Sequence, residues 1–221
     1  MTHAAQDHVI QERNATAGAD TLHGVRLREP RTTDAPRVLA LVSACAPLDV
    51  NSLYCYLILC THFHETCVLA ERDGEVLGFI SGYREPSRAD VLFCWQVAVA
   101  AEMRRSGLAS VMLKSILSSP ACRGVRTVEA TVTGSNHASM RLFRRLAGDR
   151  GAPCHAELLF SERHFAPWKH DAEWLLRIGP FEGPSEHAWP ERAGVCQAPG
   201  SRGRRAAPSR RDLSCPPSKR M

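Results

Sequence analysis

The stretch that decides the fold is "VLFCWQVAVAAEMRRSGLAS", residues 91–110. Its first part, 91–99, is an almost uninterrupted apolar run, which predicts a buried strand. A basic turn containing Gly107 follows, and then Leu108, Val111, Met112 and Ile116 recur on one face of a helix that ends around Ser118-Ser119-Pro120. A turn of this kind leaves backbone N–H groups unpaired at the positive end of a helix dipole. That is an anion site, and phosphate is its usual occupant. The turn has neither the Gly-x-Gly-x-x-Gly of a dinucleotide fold nor the Gly-Lys-Ser/Thr of a phosphate loop, which argues against both.

Working outward, "VRTVEATV" (125–132) predicts a second strand, followed by a loop and a helix ending at Gly148 with Leu142, Phe143 and Leu146 inward. Upstream, "TCVLAE" and "VLGFISGY" flank Arg72-Asp73-Gly74-Glu75 and predict an antiparallel hairpin. Before them lie a short strand, "VRLRE", and a helix that starts at Thr33-Asp34 with Pro36 in its first turn and Val38, Leu41, Val42 and Cys45 on one face. Pro47 ends that helix, and a loop leads into a second one from about Asn51. "AELLF" and "EWLLRI" predict two final strands. The order β-α-α-β-β-β-α-β-α-β-β, with two strand–loop–helix units in its middle, predicts a mixed α/β sheet with adjacent parallel strands at the centre.

The chain has 221 residues, 44% of them hydrophobic, enough for one domain with extensions. Residues 1–23 are polar and aperiodic and are expected to be a disordered extension; 24–178 form the domain; 179–221, rich in Pro and Arg, are expected to be a disordered tail. Residues 201–221 hold seven Lys/Arg and one Asp, a charge of +6 against +5 for the whole chain, so residues 1–200 carry −1. Nothing in this near-neutral part suggests a nucleic-acid surface. The sequence has no membrane-length apolar run and no apolar core of a secretory signal, so a cytoplasmic protein is expected. The nine cysteines are scattered, with no C-x-x-C pair, and are expected to be reduced and mostly buried. Cys60, His62, His64 and Cys67 lack the well-separated ligand pairs of a structural zinc site, so no metal is expected.

The segment Arg104-Arg105-Ser106-Gly107-Leu108-Ala109 resembles the Gln/Arg-x-x-Gly-x-Gly/Ala pyrophosphate loop of the Gcn5-related N-acetyltransferases, and Asn136 occupies the place of that family's Asn after the fifth strand. The resemblance covers roughly residues 25–178. It implies a sheet splayed between its fourth and fifth strands, helices on both faces, and acetyl-CoA as co-substrate. "LDVNSLYCYLILCTHF", "LFCWQVAV", "PACRGVRTVEATVT" and "HDAEWLLRIG" are similar to a narrower family, the diaminobutyrate acetyltransferases of ectoine biosynthesis. That similarity implies acetylation of the 4-amino group of L-2,4-diaminobutyrate by direct attack in a ternary complex, and a homodimer.

On this resemblance the backbone of Val97 and Val99 would bind the pantetheine arm as an added strand does. Arg104, Arg105, Gly107 and Ala109 would hold the pyrophosphate, Gly107 because close phosphate approach leaves no space for a Cβ. Asn136 would touch the CoA arm as well as cap a helix. Asp49, Tyr54, Trp95, His170 and Glu173 would contact the diamine, with Trp95 offering an aromatic face. An ammonium must lose a proton before attacking a thioester, and Glu173 is the candidate base, with His170 the alternative. The Tyr that usually protonates the leaving thiolate is Phe143 here, so that role passes to Tyr54, to water or to no group. Two other readings stay open: another acetyltransferase of the superfamily acting on a polyamine, an amino acid or a protein N-terminus, and a non-catalytic acetyl-CoA-sensing module.

Overall fold

The computed structural model describes residue 22 and residues 24–181. Apart from Leu22 and Gly179–Phe181, the two expected extensions lie outside the described residues.

The elements are β1 (Arg26–Arg28), α1 (Ala35–Ser43), α2 (Leu53–His62), β2 (Val68–Arg72), β3 (Glu75–Glu85), β4 (Arg88–Val99), α3 (Leu108–Leu117), β5 (Thr127–Thr133), α4 (His137–Arg150), β6 (Cys154–Phe160) and β7 (Glu173–Ile178), with short 3-10 turns between them. This is the predicted order. The seven strands form one sheet in the order β1-β2-β3-β4-β5-β7-β6. Because strand side chains alternate between faces, the sheet supports two separate cores. Leu69, Phe79 and Ala98 pack with Val38, Val42, Tyr56 and Leu59 of α1 and α2. Ala70, Ile80 and Leu92 pack with Met112, Ile116, Phe143 and Leu146 of α3 and α4.

The strands β4 and β5 pair in parallel over only three positions, Val91 with Thr127, Leu92 with Val128 and Phe93 with Glu129. Beyond Phe93, β4 continues to Val99 while β5 continues to Thr133, and the two diverge. A β-bulge marks the point of divergence: Ser81 of β3 faces Gln96 and Gly82 faces Cys94, so Trp95 is the extra residue of β4. Cys94 and Gln96 are both buried, whereas Trp95 is 45% exposed. The expected splay is therefore present, built by a bulge that the residues alone did not announce.

Three boundaries differ from expectation. β3 runs on to Glu85 and β4 begins already at Arg88, which ion-pairs at 2.8 Å with the buried carboxylate of Glu129, met also by Arg177 at 2.7 Å. α4 runs past Gly148 to Arg150, since the left-handed residue that stops it is Gly151, at φ 59°. Packing also continues beyond 178: Phe181 is buried, its N–H donates to the Arg126 carbonyl at 2.8 Å, and the Arg150 guanidinium lies 5.3 Å from its ring centroid.

Candidate active site

The divergence of β4 and β5 opens a cavity of about 810 Å³, large enough to enclose most of a small ligand. Cys94–Val97 of β4 and Ala130–Thr133 of β5 form two walls; the α1–α2 loop (Pro47–Asn51) and the chain entering β7 (Trp168–Glu173) close the others.

Asp49, His170 and Glu173 converge here. His170 Nε2 lies 3.1 Å from Asp49 Oδ2 and 3.8 Å from Glu173 Oε1. Its Nδ1 lies 2.6 Å from the Asp171 carbonyl oxygen, and Phe165 stacks on the ring with centroids 4.1 Å apart. Every polar neighbour of the imidazole is an acceptor, so both nitrogens are best used as donors, which requires the imidazolium. The Asp171 carbonyl, and then Asp49, accordingly raise the proton affinity of His170. Glu173 is only 16% exposed in its side chain. Burial raises its pKa above the ordinary carboxylate range, against the opposing pull of His170 and a hydrogen bond from Thr131. A carboxylate made more basic by burial beside an acceptor pocket is suited to receive a proton from an ammonium.

At the far end of β4, Gly107 adopts φ 92° and Arg105 φ 64°. The left-handed φ is what requires glycine at 107, since a Cβ there would meet nothing within 4 Å of the protein; that space is open to a ligand. The backbone N–H groups of Arg105, Gly107 and Ala109 have no hydrogen-bond partner among the described residues, while that of Leu108 donates to Ser106 Oγ at 3.3 Å. Three free donors in a basic turn at a helix N-terminus fit a pyrophosphate.

The other expected residues fall as follows. Trp95, Val97 and Asn136 line the cavity. Asn136 is also the N-cap of α4, accepting from the Ser139 N–H at 3.1 Å. The Val99 carbonyl accepts from Cys45 Sγ at 3.3 Å and from Arg104 Nε at 3.4 Å, so it is partly engaged already. Phe143 is buried in the cavity wall. Tyr54 is not among the residues that line the cavity: it is 71% exposed on α2. Residues two apart on a helix point in nearly opposite directions, so the inward tyrosine is Tyr56. Its hydroxyl donates to Gln96 Oε1 at 3.1 Å. Neither Tyr56 nor Gln96 was singled out from sequence, and nor was the exposed Trp168 at the cavity mouth. The second tyrosine of "LDVNSLYCY" was the available signal.

A family model described as "Acetyltransferase (GNAT) family" matches residues 36–148. An L-2,4-diaminobutyric acid acetyltransferase of Bordetella parapertussis is 50% identical over 159 residues, covering 72% of this chain and 86% of that protein. The protein of the same name from Chromohalobacter salexigens is 44% identical over 170 residues, covering 74% and 88%. Among solved structures, the diaminobutyrate acetyltransferase of Paenibacillus lautus, in complex with its substrate L-2,4-diaminobutyric acid and coenzyme A, is similar with a TM-score of 0.70 and 41% identity, covering 72% of this chain and 97% of that one.

Proposed function

The chain belongs to the acetyltransferase (GNAT) family, and from that premise we propose that it transfers the acetyl group of acetyl-CoA to the 4-amino group of L-2,4-diaminobutyrate, releasing N4-acetyl-L-2,4-diaminobutyrate and CoA on the route to the compatible solute ectoine. The observation that carries this reading is the meeting of Asp49, His170 and Glu173 in one cavity beside the unpaired edge of β4. The carboxylates suit the two ammonium groups of the diamine, the imidazolium suits its carboxylate, and Trp95 offers an aromatic face to a cation or the aliphatic chain. Relatives at 44–50% identity bearing the same name support it.

The chemistry follows from the charges. Glu173 takes one proton from the reacting ammonium, directly or through water, and the freed lone pair attacks the thioester carbonyl carbon. The negative charge that develops on the carbonyl oxygen is met by backbone N–H donors on the free edge of β4. The tetrahedral intermediate collapses with cleavage of the C–S bond; the nitrogen gives up its second proton through water, the departing CoA thiolate takes up that proton, and the proton held by Glu173 returns to solvent. Phe143 has no proton to give, and a thiolate departs without a dedicated acid. Mass spectrometry of L-2,4-diaminobutyrate incubated with acetyl-CoA and the protein tests the proposal: acetyl on the 4-nitrogen is expected, and no acetylation overturns it.

The reading extends to assembly and location. A homodimer is supported by β6, an edge strand exposed along its whole length, including Leu158 and Phe160; light scattering on the purified chain would read one or two copies. No helix among the described residues is long and apolar enough to cross a membrane; a cytoplasmic location is part of the proposal, supported by the use of acetyl-CoA.

A further inference from the structure

The side chain of Asp49 is 80% exposed, and the only partner that meets it among the described residues is His170. An ion pair so open to water contributes little to holding a loop in place. What fixes Asp49 is its main chain. Gln96 Nε2 donates to the Asp49 carbonyl at 2.8 Å, the Tyr56 hydroxyl donates to Gln96 Oε1 at 3.1 Å, and the same hydroxyl accepts from the Asn51 N–H at 3.3 Å. Tyr56 is fully buried, with its ring edge against Phe79, and Gln96 is 8% exposed. The amide orientation of Gln96 is set by chemistry: turned over, its oxygen would face the carbonyl oxygen of Asp49.

We propose that Tyr56 and Gln96 are positioning residues that select the diamine, by clamping both ends of the Asp49–Asn51 segment to β4. The bulge makes this possible. Cys94 and Gln96, two apart, would share a face of a regular strand; with Trp95 as the extra residue, Cys94 packs into the core of α3 and α4 while Gln96 turns to Tyr56 and holds the loop carrying the acidic side chain. Both halves of the acceptor wall are thereby referenced to one strand. Loss of the clamp leaves buried polar groups unpaired and frees the loop, so diamine binding suffers while the CoA end of β4, with its own turn at Gly107, does not.

This inference rests on the acetyltransferase reading above for its kinetic test, and a second measurement stands apart from that reading. In the full chain, Tyr56→Phe keeps the ring and removes the hydroxyl, and Gln96→Met keeps the shape and removes both hydrogen bonds. The KM for L-2,4-diaminobutyrate is expected to rise about tenfold or more in each variant while that for acetyl-CoA stays within about twofold. Hydrogen–deuterium exchange of the peptide spanning 48–53 is expected to quicken about tenfold, with peptides from β5 and β7 unchanged. Equal shifts in both KM values, unchanged exchange at 48–53, or uniformly faster exchange with loss of a cooperative melt would each overturn the proposal, the last by making the pair merely structural. If the wild-type protein leaves the diamine unacetylated, the functional reading fails, and the exchange measurement still decides whether the clamp exists.

Discussion

His170 and Asp49, 121 residues apart in sequence, meet at 3.1 Å between Nε2 and Oδ2. With its Nδ1 beside the Asp171 carbonyl and its Nε2 beside Asp49, the His170 ring ties the α1–α2 loop to the entry of β7, and these acceptors favour its protonated form. A ring protonated on both nitrogens has no lone pair for an ammonium's proton. On the proposed reaction, proton acceptance is assigned to Glu173, a carboxylate that burial makes more basic.

Replacing that carboxylate by its amide should expose its role. Glu173→Gln is expected to lower kcat/KM for the diamine about 100-fold or more at neutral pH, the usual contribution of a general base. In the unaltered protein, kcat/KM should fall as pH drops through the raised pKa of Glu173, that is, at a higher pH than an ordinary carboxylate would give. Steady-state rates between about pH 5 and pH 8 read both effects.

His170 has a folded-state pKa above its ordinary 6.5, owing first to the Asp171 carbonyl and then to Asp49. The native state binds this proton more tightly than the unfolded chain, so the stabilisation is fully present below the ordinary value and is lost as pH rises through the folded one. The difference in melting temperature between wild type and His170→Gln should be largest near about pH 6 and close towards about pH 9. Added salt should shrink it, because Asp49 faces water.

At Gly107 the conformation and the ligand space make separate demands. Gly107→Ala forces a side chain into φ 92°, at about 1–2 kcal/mol, seen as a melting temperature lower by about 3–6 °C. It also fills space beside the free N–H groups. The KM for acetyl-CoA should rise about tenfold with that for the diamine unchanged, since the diamine's residues lie at the other end of β4.

Cys94 lines the cavity and tests the direct-attack route. Burial pushes its thiol up to about 12, so the thiolate, which is the nucleophilic form, is scarce at neutral pH. Cys94→Ala should retain diamine acetylation and lose about 1 kcal/mol of stability. Intact-mass measurement after incubation with acetyl-CoA alone should show no acetyl-enzyme; an acetyl group on Cys94 would refute direct attack.

Much of this was legible in the residues. The hydrophobic periods of α1, α3 and α4, the Asp-Gly hairpin and the apolar run 91–99 specify local elements, and local elements in that order leave few ways to assemble a sheet. Gly107 and Asn136 were legible for the same reason: a left-handed turn and a helix cap are demands of the backbone made within a few residues. α2 resisted. "LYCYLILC" is apolar almost all round, so its period does not say which tyrosine faces inward; Tyr56 is the buried one and Tyr54 the exposed one.

The sequence by itself determined the succession of strands and helices, the glycine turn before α3 and the concentration of positive charge in residues 201–221, because each depends on neighbours along the chain. Only the tertiary structure decided that Trp95 is a bulge, that Gln96 is buried against the Asp49 loop, and that Asp49, His170 and Glu173 share one cavity. A bulge exists only relative to a partner strand: whether residue 95 is extra depends on how Ser81 and Gly82 of β3 are paired. Its consequence is equally non-local, since the same kink that parts β4 from β5 turns Gln96 inward and leaves Trp95 at the opening.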